Sequence, residues 1–220
     1  MPTVPISVST PQGPGRFFVD AATDPHSILV LGHGAGGGTG AADLELLSRQ
    51  LPERGTTVVR FEQPWRTAGR RVAGPTGQLD EAWVAAVGWL RDQEWGKARL
   101  FVGGRSAGAR VACRTALALE ARGVVCLAFP LHLPGRPDRS RAAELLTAGV
   151  PRLVLQGTSD SFGTPDEIRS AMGVAPGIRI VELPGADHGF RVGKNAGFTA
   201  ADLRSRVVAE VTGFLAGHRE

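Results

Sequence analysis

Short, continuous apolar runs rich in Val, Ile, Leu and Phe alternate along the chain with longer stretches whose apolar residues return every three or four positions. The short runs predict strands at Arg16–Asp20, Ser27–Leu31, Thr57–Phe61, Leu100–Gly103, Val124–Ala128, Arg152–Gln156 and Ile178–Leu183. Most of them lack apolar–polar alternation, the pattern of parallel strands covered on both faces. The longer stretches predict helices near Ala41–Arg54, Gly77–Gln93, Ala107–Arg122, Pro165–Gly173 and Thr199–Ala216. In the second of these, Leu79, Trp83, Val87 and Leu90 fall on one side, as a single buried helix face requires. Strands alternating with helices imply right-handed βαβ crossovers, so the expected fold class is α/β, a mostly parallel sheet with helices on both faces. No internal repeat and no long linker interrupts the pattern, and residues 1–220 are expected to form a single domain.

Composition narrows the class without changing this outline. The hydrophobic share is 42% and the charged share 21%, values of an ordinary globular protein. The 30 glycines and 15 prolines gather at segment boundaries without a fixed period, which excludes collagen-like and low-complexity sequence. A formal charge of +4 and a pI near 10.0 raise the question of an acidic partner. The arginines are scattered, however, and no Lys/Arg block is interleaved with aromatics, so no nucleic-acid partner is expected. Cys113 and Cys126 lie inside apolar segments, away from any second cysteine or histidine at metal-ligand spacing; buried free thiols and no metal site are expected. The N-terminal residues show no basic start followed by an apolar run, and no segment reaches the roughly 20 apolar residues of a membrane span. The expected location is therefore the cytoplasm.

Ligands of open parallel sheets bind beyond the carboxyl ends of the strands, so candidate chemistry belongs just after each strand. Leu100–Gly103 is followed by Gly104-Arg105-Ser106-Ala107-Gly108 and a helix-compatible run, which is the G-x-S-x-G nucleophile elbow in its required context. Small flanking residues let strand and helix approach around a strained serine. The turn also sets the Ala107 N–H at a helix start, where it can stabilise an oxyanion. The pentapeptide alone is weak evidence in a glycine-rich chain, and a serine N-cap on a tight turn competes with it. After Ser27–Leu31 comes Gly32-His33-Gly34-Ala35-Gly36-Gly37-Gly38, a turn suited to a second oxyanion donor. Ala35 is the candidate donor, with Gly34 and Gly36 beside it, and His33 reads as a residue that braces the loop. A phosphate-cradling loop is the competing reading, but the turn fits neither template: there is no G-x-x-x-x-G-K-[ST], and no spaced G-x-G-x-x-G with an acid about 20 residues on. Asp160, after Arg152–Gln156, and His188, after Ile178–Leu183, complete the chain order Ser106, Asp160, His188, which is that of α/β-hydrolases. Asp187 adjoins His188 and is poorly placed to reach its ring.

On LVLGHGAGGG, GGRSAGAR, LQGTSD and PGADHGF the chain resembles the small dienelactone-hydrolase-like branch of the α/β-hydrolase superfamily over roughly residues 26–217. The resemblance implies a three-layer α/β-hydrolase fold and a serine hydrolase of esterase or thioesterase type. Ser106, Asp160 and His188 would be its triad, Ala35 and Ala107 its oxyanion donors, and a small-molecule ester or thioester its substrate, with no cofactor. Dienelactone hydrolases proper use a cysteine nucleophile, so their lactone substrate does not carry over to Ser106. Between Ala128 and Arg152 only a loop and one short helix fit, which implies a minimal cap and an open site. Trp65 and His132 are candidate pocket residues, and Arg66, Arg70 or Arg71 could attract an anionic group or simply be solvated. The segment Phe129–Gly135 is similar to one in a bacterial subgroup related to animal proteins, which keeps open a non-catalytic interaction module with the same fold.

Overall fold

Parallel pairing dominates one eight-stranded sheet whose order is β1-β2-β4-β3-β5-β6-β7-β8. Its strands are β1 (Ile6–Val8), β2 (Gly15–Asp20), β3 (Ser27–Gly32), β4 (Thr56–Glu62), β5 (Arg99–Arg105), β6 (Val124–Leu127), β7 (Arg152–Gly157) and β8 (Ile178–Leu183). The structure is a computed structural model and describes residues 4–93, 97–193 and 197–218. β1 pairs antiparallel with β2, and β2 antiparallel with β4; from β4 through β8 all pairing is parallel. β3 and β7 are buried at every position, which is why their sequences run apolar without alternation.

Among the described residues, seven α-helices accompany the sheet: α1 (Ala42–Gln50), α2 (Pro64–Thr67), α3 (Thr76–Arg91), α4 (Ala107–Thr115), α5 (Ala142–Thr147), α6 (Pro165–Met172) and α7 (Ala200–Gly217). Period-two alternation sends successive residues of β3 into different layers. Ile28 and Val30 pack with Trp83 and Val87 of α3, Ala109 and Cys113 of α4, Leu145 of α5 and Ile168 of α6. Leu29 and Leu31 pack on the other face with Leu44 and Leu47 of α1 and Val207, Val211 and Phe214 of α7. The result is the expected helix–sheet–helix sandwich, and each fully buried Leu or Val contributes about 1.5–3 kcal/mol.

Several boundaries differ from expectation for local reasons. The helix expected over Ala41–Arg54 divides, because Pro52 has no N–H to continue it; a 3-10 turn, Pro52–Arg54, follows and Gly55 closes it at φ 74°. The helix expected to reach Arg122 is regular only to Thr115. Beyond it, Glu120 turns left-handed (φ 52°), and bonds from Ala121 N to Ala116 O and from Glu120 N to Leu117 O form a Schellman stop. Ala128 leaves β6 with φ 50°. β1 and α2 were not expected: each is too short, at three and four residues, to impose a period. The stretch between β6 and β7 holds a loop and α5, the short helix expected there. Glu144 of α5 is bound by Arg110 and Arg114 of α4, so α5 packs against the body of the fold.

The chain winds from β3 outward to β4, then returns to place β5 on the other side of β3. The loops that follow β3 and β5 diverge at this reversal and leave a crevice at the carboxyl edge of the sheet.

Candidate active site

β5 runs into Ser106, and α4 begins at the next residue. Ser106 is held at φ 50° and ψ −109°, a conformation that L-residues rarely adopt and that a rigid frame must enforce. The frame is the contact between the elbow and the end of β3. A Cβ on Gly108 would stand 2.3 Å from Gly32 O, and one on Gly104 would stand 2.5 Å from the same oxygen. Only hydrogen at both positions lets α4 rest against β3 and point the serine hydroxyl outward. The Ser106 N–H donates to Leu127 O at 3.0 Å and fixes the turn to β6.

The imidazole of His188 stands between two side chains far from it in sequence. Its Nε2 lies 3.0 Å from Ser106 Oγ and its Nδ1 lies 2.8 Å from Asp160 Oδ2. An ionised carboxylate can only accept, so Nδ1–H donates to Asp160 and Nε2 is left to accept the serine proton. The loops carrying the two residues are tied together: Gly185 N–H donates to Thr158 Oγ1 at 2.8 Å, and Ser159 N–H to Ala186 O at 3.0 Å. Phe162 stacks on the His188 ring with centroids 4.1 Å apart, limiting its rotation and its access to water. Asp187 is directed elsewhere, its Oδ1 accepting from Gly189 N–H and Arg191 N–H within its own turn.

Two residues that were not read from the sequence hold this arrangement. Gln156, fully buried, donates from Nε2 to Asp160 Oδ2 at 2.9 Å and to Gly163 O at 2.7 Å, while its Oε1 accepts from Phe129 N–H at 2.9 Å. Phe162 N–H donates to the other carboxylate oxygen at 2.8 Å. The Asp160 carboxylate is thus oriented from three sides with no exposure to solvent. Arg105, the variable residue before the serine, donates to Asp43 Oδ2 of α1 at 2.6 Å and to the His188 carbonyl, with its guanidinium over the Phe190 ring. It joins β5, α1 and the histidine loop at one point. The only sequence signal for either residue was proximity to a motif.

The loop after β3 approaches the elbow from the other side. A Cβ on Gly34 would lie 3.6 Å from Ser106 Cβ, whereas one on Gly36 would meet nothing within 4 Å. Ala35 is exposed in the turn, and the Ala107 N–H, first in α4, has no partner within the helix. His33 braces the loop: Nδ1 bonds Gly34 O at 2.9 Å and Nε2 accepts from Gln63 N–H at 3.2 Å. Burial holds its pKa below the ordinary 6.5, so the ring is neutral, as an acceptor Nε2 requires. Ala35 and Ala107 line a narrow crevice with Trp65, Leu79, Trp83 and Val111.

Trp65 is therefore beside the site, tilted against the His33 ring at 5.5 Å. His132 stands apart: its ring Nδ1 bonds Leu133 O at 2.9 Å and its Nε2 faces Glu167 Oε1 at 3.4 Å, while its backbone N–H donates to Phe162 O. Arg66 lies along the glycine loop, its Nε 3.8 Å from where a Gly38 Cβ would be, and Arg70 and Arg71 are exposed. Cys113 and Cys126 are buried free thiols with sulfurs 3.5 Å apart. The hydrogen bond to Cys113, then burial, raises the Cys126 pKa well above 9.0, so this thiol does not supply a nucleophile. Among the described residues, no three His, Cys, Asp or Glu side chains form a group able to hold a metal, and no helix is long and apolar enough to cross a membrane.

Comparison with known proteins agrees with this architecture. A family model described as an alpha/beta hydrolase domain matches residues 25–216. Among solved structures, an α/β serine hydrolase without a lid from Xanthomonas campestris is 24% identical, with a TM-score of 0.73, and the match covers 96% of this chain and 94% of that one. A dienelactone hydrolase from Anabaena variabilis is 18% identical at a TM-score of 0.74, with 97% and 96% covered. An esterase from Pyrococcus furiosus is 18% identical at 0.67, with 96% and 89% covered. With the family match spanning nearly the whole chain and the fold shared with these neighbours, the chain belongs to the α/β-hydrolase domain family.

Proposed function

We propose that the chain is a serine hydrolase that cleaves a small carboxylic ester or thioester through an acyl-enzyme on Ser106. The observation that carries the reading is the single imidazole bridging a serine hydroxyl at 3.0 Å and a buried carboxylate at 2.8 Å. In this reading His188 Nε2 takes the serine proton as Oγ bonds to the substrate carbonyl carbon. The carbonyl oxygen becomes an oxyanion held by the N–H groups of Ala35 and Ala107, a donor typically worth about 10²–10³ in rate. The ester C–O or thioester C–S bond then breaks, and the leaving group departs with the proton from His188. Water repeats the sequence at the acyl carbon, releasing the acid and restoring the serine hydroxyl. Asp160 keeps Nδ1 protonated and stabilises the imidazolium. No cofactor enters these steps, and the same reading has one domain acting in the cytoplasm.

The esterase name of the Pyrococcus neighbour accords with this chemistry. An intact hydrogen-bonded relay also favours catalysis over a purely interactive role for the fold. The test is hydrolysis of short p-nitrophenyl esters by the wild type and by Ser106→Ala. The expected result is turnover that falls on the order of 10⁵–10⁶-fold in the variant. Equal rates in the two proteins, or a folded wild type inert to every ester and thioester offered, would contradict the proposal.

A further inference from the structure

His188 reaches Ser106 from a distant part of the sheet. It follows β8, the edge strand, and β6 and β7 lie between that strand and β5. At the usual strand spacing this is a separation of roughly 14 Å, which the histidine loop has to cross. Bonds inside the loop close it on itself: Asp187 N–H donates to Arg191 O at 3.0 Å and Phe190 N–H to Asp187 O at 2.9 Å. Neither uses the His188 carbonyl, which accepts instead from the Arg105 guanidinium. Arg105 immediately precedes Ser106, so two consecutive residues of the elbow grip His188 at both ends. The serine hydroxyl meets Nε2 at 3.0 Å and the guanidinium meets the backbone carbonyl. A shift of the elbow therefore carries both contacts together.

The guanidinium is itself fixed from other sides. Asp43 Oδ2 accepts from it at 2.6 Å, and Asp43 Oδ1 is held by Leu44 N–H at 3.0 Å in the first turn of α1. The Phe190 ring lies against it, 5.6 Å from the centroid, on a backbone turned left-handed at φ 57°. The Arg105 and Asp43 side chains are only 15% and 6% exposed. A charged pair so far out of water regains in mutual attraction little more than it loses in hydration, so stability alone does not account for it. What the pair supplies is a fixed direction. We propose that Arg105, oriented by Asp43, is a positioning residue for the general base, clamping the His188 backbone so that Nε2 faces Ser106 and Nδ1 faces Asp160. This rests on the serine-hydrolase reading above. A misplacement of about 1 Å can cost up to about 10²-fold in rate. Asp160 and Phe162 still hold the ring when the clamp is gone, so the loss expected is smaller, about 10-fold in kcat.

Arg105→Met keeps the length of the side chain and removes its donors, and Asp43→Asn keeps the shape of the acceptor and removes its charge. Two quantities are read in each variant and in wild type. The first is kcat and KM for a short p-nitrophenyl ester, per folded protein. Arg105→Met should lose about 10-fold in kcat with KM nearly unchanged, and Asp43→Asn should move the same way by less. The second is the pair of ring-nitrogen resonances of His188, which report the nitrogen that carries the proton. In wild type they should be well separated, with Nδ1 protonated and Nε2 bare; in the variants they should draw together as the ring loosens from Asp160. A purely structural clamp would lower the urea midpoint and leave both quantities in place. With turnover present in wild type, either quantity unmoved in both variants would overturn the proposal, and Asp43→Asn decides it alone if Arg105→Met does not fold. A wild type without turnover would instead reject the serine-hydrolase reading, and the ring resonances alone would then decide whether Arg105 positions His188.

Discussion

Gln156 has the most consequential side chain outside the Ser106–His188–Asp160 relay. Its amide satisfies Asp160, Gly163 and Phe129 at once, in a place no water reaches. Gln156→Leu removes every one of those bonds while nearly keeping the volume. Each buried group left alone costs about 1–3 kcal/mol, so the urea midpoint should fall clearly. Asp160 would also lose the amide that orients it, and kcat for ester hydrolysis should drop about 10- to 100-fold with little change in KM. A variant as stable and as active as wild type would show that Gln156 is a bystander. The contrast with Ser106, Asp160 and His188 explains what was legible at this scale. Those three follow strands in short, recognisable segments, so sequence alone could nominate them. Gln156 meets Phe129 from 27 positions away, and Arg105 meets His188 from 83 positions away; such contacts exist only after folding.

At the scale of elements, the decisive contact is helix against strand. α4 carries the elbow, and its approach to β3 depends on the missing side chain of Gly108. Gly108→Ala would set a methyl 2.3 Å from Gly32 O and 2.4 Å from Gly32 C, backbone that cannot yield. The expected cost is about 1–3 kcal/mol or more in urea unfolding. Gly88→Ala on α3 is the matching control, because it is exposed and a Cβ there meets nothing within 4 Å. It should stabilise the protein by about 0.5–1 kcal/mol through helix propensity. Equal effects from the two substitutions would refute the close-approach account. Element reading succeeded where the apolar pattern was strong, as in the continuous runs of β3 and β7 and the three- and four-residue returns of α3. It failed where other forces set the boundary: Pro52 in the first helix, the left-handed Glu120 after α4, and α2, whose single turn begins at Pro64.

On the scale of the molecule, topology does the assembling. The sheet order sets the ends of β3, β5, β7 and β8 along one edge, so loops scattered over the chain meet there. The parallel core was readable from continuous apolar strands, but the antiparallel edge made by β1 and β2 was not, since pairing direction leaves little trace in so few residues. The minimal cap followed from chain length between β6 and β7, and α5 occupies that length while bound to α4. With the site at an open edge, a small electrophile can reach Ser106 directly. The most direct measurement is therefore mass analysis after treatment with a fluorophosphonate. One adduct on the peptide containing Ser106 is expected in wild type, with labelling abolished in Ser106→Ala and slowed at least about 10³-fold in His188→Ala. A folded wild-type protein that takes up no label, or is labelled equally fast without His188, would contradict the account.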